Sequence, residues 1–144
     1  MSILKSDQLD INGWCFACGE KNPHGLHMQV ENGAEDVRCR ITLAPHHQGW
    51  VGIAHGGIVA TLMDEIMAHA VLRFAGHGVT TGMEIRYRSP VNLGELVEVR
   101  GWVAENRRRL AVARAEIRQA EGDRLLAEAT AKFMLRPEPA GEGA

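Results

Sequence analysis

Residues 55–74 read HGGIVATLMDEIMAHAVLRF, a His-Gly-Gly opening followed by about five turns of potential helix. At 3.6 residues per turn, Val59, Leu62, Met63, Ile66, Met67, Ala70 and Phe74 share one broad arc. Ile58, Val71 and Leu72 carry apolar groups onto much of the remainder, so the helix is expected to be buried. Asp64 is then the informative residue, because an ionised carboxylate taken out of water must be paired, hydrogen-bonded or used in chemistry. Its neighbours on the helical wheel, Ala60, Thr61, Met67, Ala68 and Val71, carry no charge. The plainer alternative is a carboxylate held by Thr61 or by an amide across an interface; the adjacent HGG favours catalysis.

The first turn of a helix leaves backbone N–H groups without intrahelical partners at the positive end of the dipole, where they can hold an anion or a developing oxyanion. Gly56 and Gly57 leave that turn open to a carbonyl group. Gly57 and Asp64 are seven residues apart, roughly 10 Å along a helix axis at 1.5 Å per residue. One reacting carbonyl cannot lie within ~3 Å of both. If both act on one substrate, they come from two copies of the chain, and the site lies at a dimer interface.

The flanking sequence is of one ordinary domain: 144 residues, 45% hydrophobic and 24% charged. A formal net charge of -2 gives no electrostatic reason to expect a nucleic-acid partner. Three cysteines are too few for a disulfide scaffold and fit a reducing compartment. No apolar run approaches the ~18 residues of a membrane span, and the opening MSILKSDQLDINGW has no signal-like core. A cytoplasmic protein with no membrane partner is expected. Residues 1–14 read as an N-terminal arm, 15–136 as the domain, and 137–144, PEPAGEGA, as a disordered tail.

Cys15, Cys18, His24 and His27 offer four donors, the number a closed zinc site needs. A lone CxxC is a weak signal, and a reduced structural pair under the helix or at an interface is the favoured reading. Residues 26–43 alternate through Met28, Val30, Val37, Cys39, Ile41 and Leu43 around a turn at Glu31-Asn-Gly33, which predicts an antiparallel hairpin. The loop-forming run 45–52 brings Gln48 and Trp50 near a pocket mouth. Beyond the Gly76-His-Gly78 stop, alternation predicts strands over 79–88, 95–105, 110–118 and 125–135 with short connectors. The fold class is α+β, a curved antiparallel β-sheet wrapped around one long central helix.

Taken together, His55-Gly56-Gly57 with Asp64 nine positions after the His, the stretch TGMEIRYRSPVNLGE and the opening CFACGEKNPHGL resemble the hotdog-fold acyl-CoA thioesterases of the PaaI-like group. The likeness runs over most of the chain, roughly residues 15–135. It implies a homodimer with sheets joined edge to edge, often paired again into a tetramer, hydrolysing acyl-CoA without a cofactor or metal. By the same resemblance the Gly57 amide polarises the thioester carbonyl, and Asp64 of the facing subunit is general base or nucleophile. Thr80 holds the place of a hydroxyl that orients the water or the carboxylate, with Thr81 beside it. Some relatives carry Asn before HGG; here that place is Gly49, next to Gln48.

A thiolate leaves readily, so one carboxylate and one oxyanion hole suffice for thioester hydrolysis. His55 either hydrogen-bonds the thioester oxygen or fixes the loop before the helix. Glu65 points about 100° away from Asp64 and suits an ion pair or the helix rim, while His69 diverges from Asp64 by about 140°. Arg107 and Arg108, in the run 107–109, and Arg86 with Arg88 suit the phosphates of CoA, or are ordinary solvated groups. Met63, Met67 and Met83 line an adaptable acyl tunnel or are plain core. The rival activities are a hotdog enoyl-thioester hydratase or dehydratase, and a non-catalytic acyl-CoA binding protein.

Overall fold

In a computed structural model of the chain, residues 12–137 are described. The expected arm falls outside them up to residue 11, as does the expected tail from 138 onward. Six strands, β1 (Glu31–Asn32), β2 (Val37–Thr42), β3 (Gly78–Tyr87), β4 (Leu96–Arg107), β5 (Leu110–Gln119) and β6 (Leu125–Leu135), form one antiparallel sheet in the order β1-β2-β4-β5-β6-β3. Among the described residues a single helix, α1 (Gly56–Phe74), lies on one face, and a short 3-10 turn (Pro45–His47) precedes it. This is the hotdog plan expected from the sequence.

The helix forms where the apolar arc predicts. Val59, Leu62, Met63, Ile66, Met67, Ala70 and Val71 are buried, and Ile58, Leu72 and Phe74 lie at the margins. Met63 and Met67 are fully enclosed, so they are core. Alternate residues of β4, β5 and β6 face them: Val97 and Val99, then Ala111, Ala113, Ala115 and Ile117, then Ala127, Ala129, Ala131 and Phe133. The alanines leave room for the helix to come close. At Gly101 a Cβ would lie 2.9 Å from the Ile66 carbonyl oxygen, so helix backbone rests directly on strand backbone there.

α1 touches β2, β3, β4, β5 and β6. Five strands spaced ~4.8 Å apart span about 19 Å, nearly twice the width of a helix, so the sheet must curve to keep all of them in contact. Register shifts occur at Thr80/Gly82, Val103/Glu105 and Ile117/Arg118. Such irregularities bend and twist a strand.

The first hairpin departs from expectation. Met28 and Val30 lie outside any strand, Glu31 and Asn32 form the two-residue β1, and the turn closes one step later through Gly33 N–H to the Asp36 carbonyl at 2.8 Å. The backbone donors of the preceding segment are used locally instead: Leu26 N–H bonds the Phe16 carbonyl at 2.8 Å and Met28 N–H that of Ala17 at 2.9 Å. With its partners inside its own loop, the segment has none left for a ladder. Among the described residues, no helix is long and apolar enough to cross a membrane.

Candidate active site

The approach to α1 is stitched on both sides. Ala54 N–H bonds the Val91 carbonyl at 2.8 Å, Leu93 N–H that of Gly52 at 3.0 Å, and His55 N–H that of His47 at 2.8 Å. His47 went unremarked in the sequence, yet it is the buried anchor of this loop, accepting from Ala44 N–H through Nδ1 at 3.0 Å. Burial, and then the neighbouring His46, hold its pKa below the usual histidine range, which keeps the accepting lone pair available. Gln48 Oε1 accepts from Gly52 N–H at 2.9 Å and thereby closes the tip that carries the exposed Trp50 and Val51.

His55 sits at the helix N-cap, and its Nδ1 accepts the Gly57 N–H at 2.9 Å. The amide assigned to the oxyanion is therefore occupied by an exposed ring of its own chain. Tyr87 donates its hydroxyl to the Gly56 carbonyl at 2.9 Å. The last residue of β3 thus braces the first turn of α1.

Asp64 is half-buried rather than enclosed. Its Oδ1 accepts from the Thr80 hydroxyl at 2.8 Å, while Thr61 turns back to its own helix, donating to the Gly57 carbonyl at 2.9 Å. Thr80 faces the helix because of the register shift in β3. Thr80 pairs with Phe133 and Gly82 with Lys132, so Thr81 is an extra residue, and its hydroxyl bonds the Lys132 carbonyl at 3.2 Å. Strict alternation back from Tyr87, Ile85 and Met83 would have put Thr81 on the helix side; the bulge puts Thr80 there instead. Met83 shares that side and is partly exposed.

Glu65 lies on another face of α1. Its Oε2 is 3.0 Å from His69 Nε2 and 3.8 Å from Cys15 Sγ. Burial pushes its carboxyl up, but bonds from His69 and then Cys18 more than offset this and hold it below the usual range. Arg107 pairs with Glu105 at 3.2 Å, and Arg107 and Arg108 are exposed in the β4–β5 hairpin. That tip lies at the C-terminal end of α1, where Asn106 Nδ2 meets the Phe74 carbonyl at 3.5 Å. Within one chain it is at the opposite end of the helix from Gly57. Arg88 bonds Glu128 at 2.7 Å, and Arg86 lies across the ladder from that residue.

The family model described as Thioesterase superfamily matches residues 51–126, from the loop before HGG into β6 and just over half of the chain. The chain belongs to the thioesterase superfamily. Its chemistry is accordingly the hydrolysis of thioesters. Human acyl-coenzyme A thioesterase 13 is 31% identical over 94 residues, covering 64% of this chain and 67% of that protein. The structure of zebrafish thioesterase superfamily member 2 matches with a TM-score of 0.73 at 26% identity, over 89% of this chain and 98% of that one. A Streptococcus pneumoniae thioesterase protein crystallised with coenzyme A matches at 0.69 and 25% identity, over 74% and 86%.

Proposed function

We propose that the chain is an acyl-CoA thioesterase whose site is built by two copies, with Asp64 activating water, or attacking directly, and Gly57 N–H of the partner subunit receiving the oxyanion. The observation that carries this is the position of Asp64. Its carboxylate is held by a single hydroxyl from β3, and β3 is the free, ten-residue edge of the sheet. Val79, Met83 and Tyr87 of that edge are exposed, which suits a strand awaiting a partner. The names of the human and pneumococcal relatives support CoA as the carrier.

A two-fold pairing of β3 with β3 is antiparallel. It sets the Gly78 end of one strand against the Tyr87 end of the other. Thr80 holds Asp64 near the first end, and Tyr87 holds Gly56 near the second, so carboxylate and helix N-terminus come together across the seam. The same pairing carries Arg107 and Arg108 of one copy toward the Gly57 end of its partner, where they meet the phosphates of CoA. Met83, on the helix side of the seam, contacts the acyl group. A substrate carbonyl takes the Gly57 N–H in exchange for the His55 ring, so His55 caps the empty site. The exposed Trp50 and Val51 support a second pairing into a tetramer, and three free thiols support a cytoplasmic setting.

The test uses purified enzyme, a panel of aromatic and straight-chain acyl-CoAs, and thiol release. Asp64→Asn and Gly57→Pro chains are assayed alone and after mixed refolding. Each alone is expected to be inactive, and the mixture to recover about a quarter of wild-type activity, since half the dimers are hybrid and each hybrid has one intact site. Release by the wild type with no recovery in mixtures that do form hybrids would rule out the shared site.

A further inference from the structure

The residues opposite Asp64 on α1 converge on a second centre that the hydrolytic chemistry does not use. Cys15 Sγ, Cys18 Sγ and a Glu65 carboxylate oxygen all lie within 4.8 Å of one another, and all three side chains are partly buried. His69 Nε2 is 3.0 Å from the same Oε2 that Cys15 Sγ approaches at 3.8 Å. We propose that Cys15, Cys18, Glu65 and His69 form a structural site for a zinc-class divalent cation.

The spacing fits. Zn–S bonds of about 2.3 Å and Zn–O bonds of about 2.0–2.2 Å at a tetrahedral angle give donor-to-donor edges of roughly 3.5–3.8 Å. The donors come from two rigid pieces. Glu65 and His69, four apart on α1, project from one side of the helix. Cys15 and Cys18 lie on a tight turn closed by Gly19 N–H to the Cys15 carbonyl at 2.9 Å, and a Cβ at Gly19 would run into the Cys15 backbone. His24 and His27, the sequence-based candidates for the remaining ligands, are exposed and stand apart from the cluster.

Electrostatics points the same way. Among the described residues Glu65 has no Lys or Arg partner, only an imidazole and two thiols. A divalent cation compensates the carboxylate and displaces the two thiol protons to solvent, leaving four donors around one ion. A disulfide would engage the sulfurs and leave Glu65 and His69 unexplained. The function of the site is to clamp the 15–28 loop to α1.

The full chain purified under reducing conditions is expected to carry one zinc per chain by elemental analysis. After chelation it is expected to bind Co2+ with thiolate charge-transfer absorption and the strong visible bands of a tetrahedral ion. Glu65→Gln and Cys18→Ser should weaken Co2+ binding roughly 10- to 100-fold, while the double variant His24→Ala/His27→Ala binds as wild type. Chelation should lower the melting temperature. No thiolate absorption when reduced wild type is titrated with Co2+ overturns the proposal. So does a Cys15–Cys18 disulfide in anaerobically purified protein, or loss of binding in the double His variant with retention in Glu65→Gln.

Discussion

Asp64 and Glu65 are consecutive carboxylates on one helix, and their surroundings could hardly differ more. Among the described residues Asp64 has one partner, the Thr80 hydroxyl, and β3, which supplies it, is an edge of the sheet. Glu65, about 100° around the helix, is gripped by His69 and Cys15 with Cys18 beside them. A carboxylate with most of its lone pairs unused can take a proton from water or attack a carbonyl. One already engaged at Oε2 by an imidazole and a thiol holds structure together. On the proposed reading adjacent positions divide the work, and rotation about the helix keeps the two carboxylates apart.

The largest effect should come from Asp64→Asn. If Asp64 has the proposed role, its loss is expected to lower kcat by about 10²- to 10⁴-fold with folding intact, measured by thiol release alongside circular dichroism. Near-wild-type turnover would erase the distinction between the two carboxylates. Glu65→Gln should do the reverse, costing about 1–3 kcal/mol in urea unfolding while the folded enzyme stays active.

The Glu65 contribution carries a pH signature. Its folded pKa lies below the unfolded value of about 4.3, so the stabilisation is present above that value and is lost as pH falls through the folded one. The stability gap between wild type and Glu65→Gln should narrow below about pH 4.3; a gap that widens there would mean the carboxyl is not held in its charged form.

Smaller effects separate the two threonines. Thr80→Val removes a hydrogen bond to a charged group and should lower kcat on the order of tenfold. Thr81→Val touches only the bulge backbone and should leave kcat nearly unchanged. Equal losses in both would argue against the bulge as the feature that aims the hydroxyl.

Much of this was legible in the sequence. The apolar arc of 55–74 and the alternating runs after it mark α1 and β3 to β6 to within a residue or two, because burial on one face enforces the period. Asp64 and the HGG turn stand out for the same reason, as polar exceptions to an apolar pattern. The first hairpin was misread because Met28 and Val30 satisfy the alternation while their backbone bonds go elsewhere. The bulge at Thr81 breaks the period by one, which no count of alternating residues reveals. Glu65 and the CxxC pair are 47 residues or more apart, and only the fold brings them within a few ångströms. Gly101 gave a sign, a glycine inside a strand, that carried a meaning only once the helix above it was seen.

The contact at Gly101 sets a mechanical tolerance. Ile66 rests on it through backbone atoms, and Ile66 is two residues beyond Asp64 on the same rigid rod. A single methyl group at position 101 would meet the Ile66 carbonyl oxygen at 2.9 Å and carbon at 3.1 Å as well as its Cγ2 at 3.1 Å; the side chain can turn aside but the carbonyl cannot, so the rod must lift. The carboxylate would lift with it, away from a hydroxyl only 2.8 Å distant. The alignment of the Asp64 carboxylate is thus gauged from the floor of the sheet, by the thickness of one missing carbon.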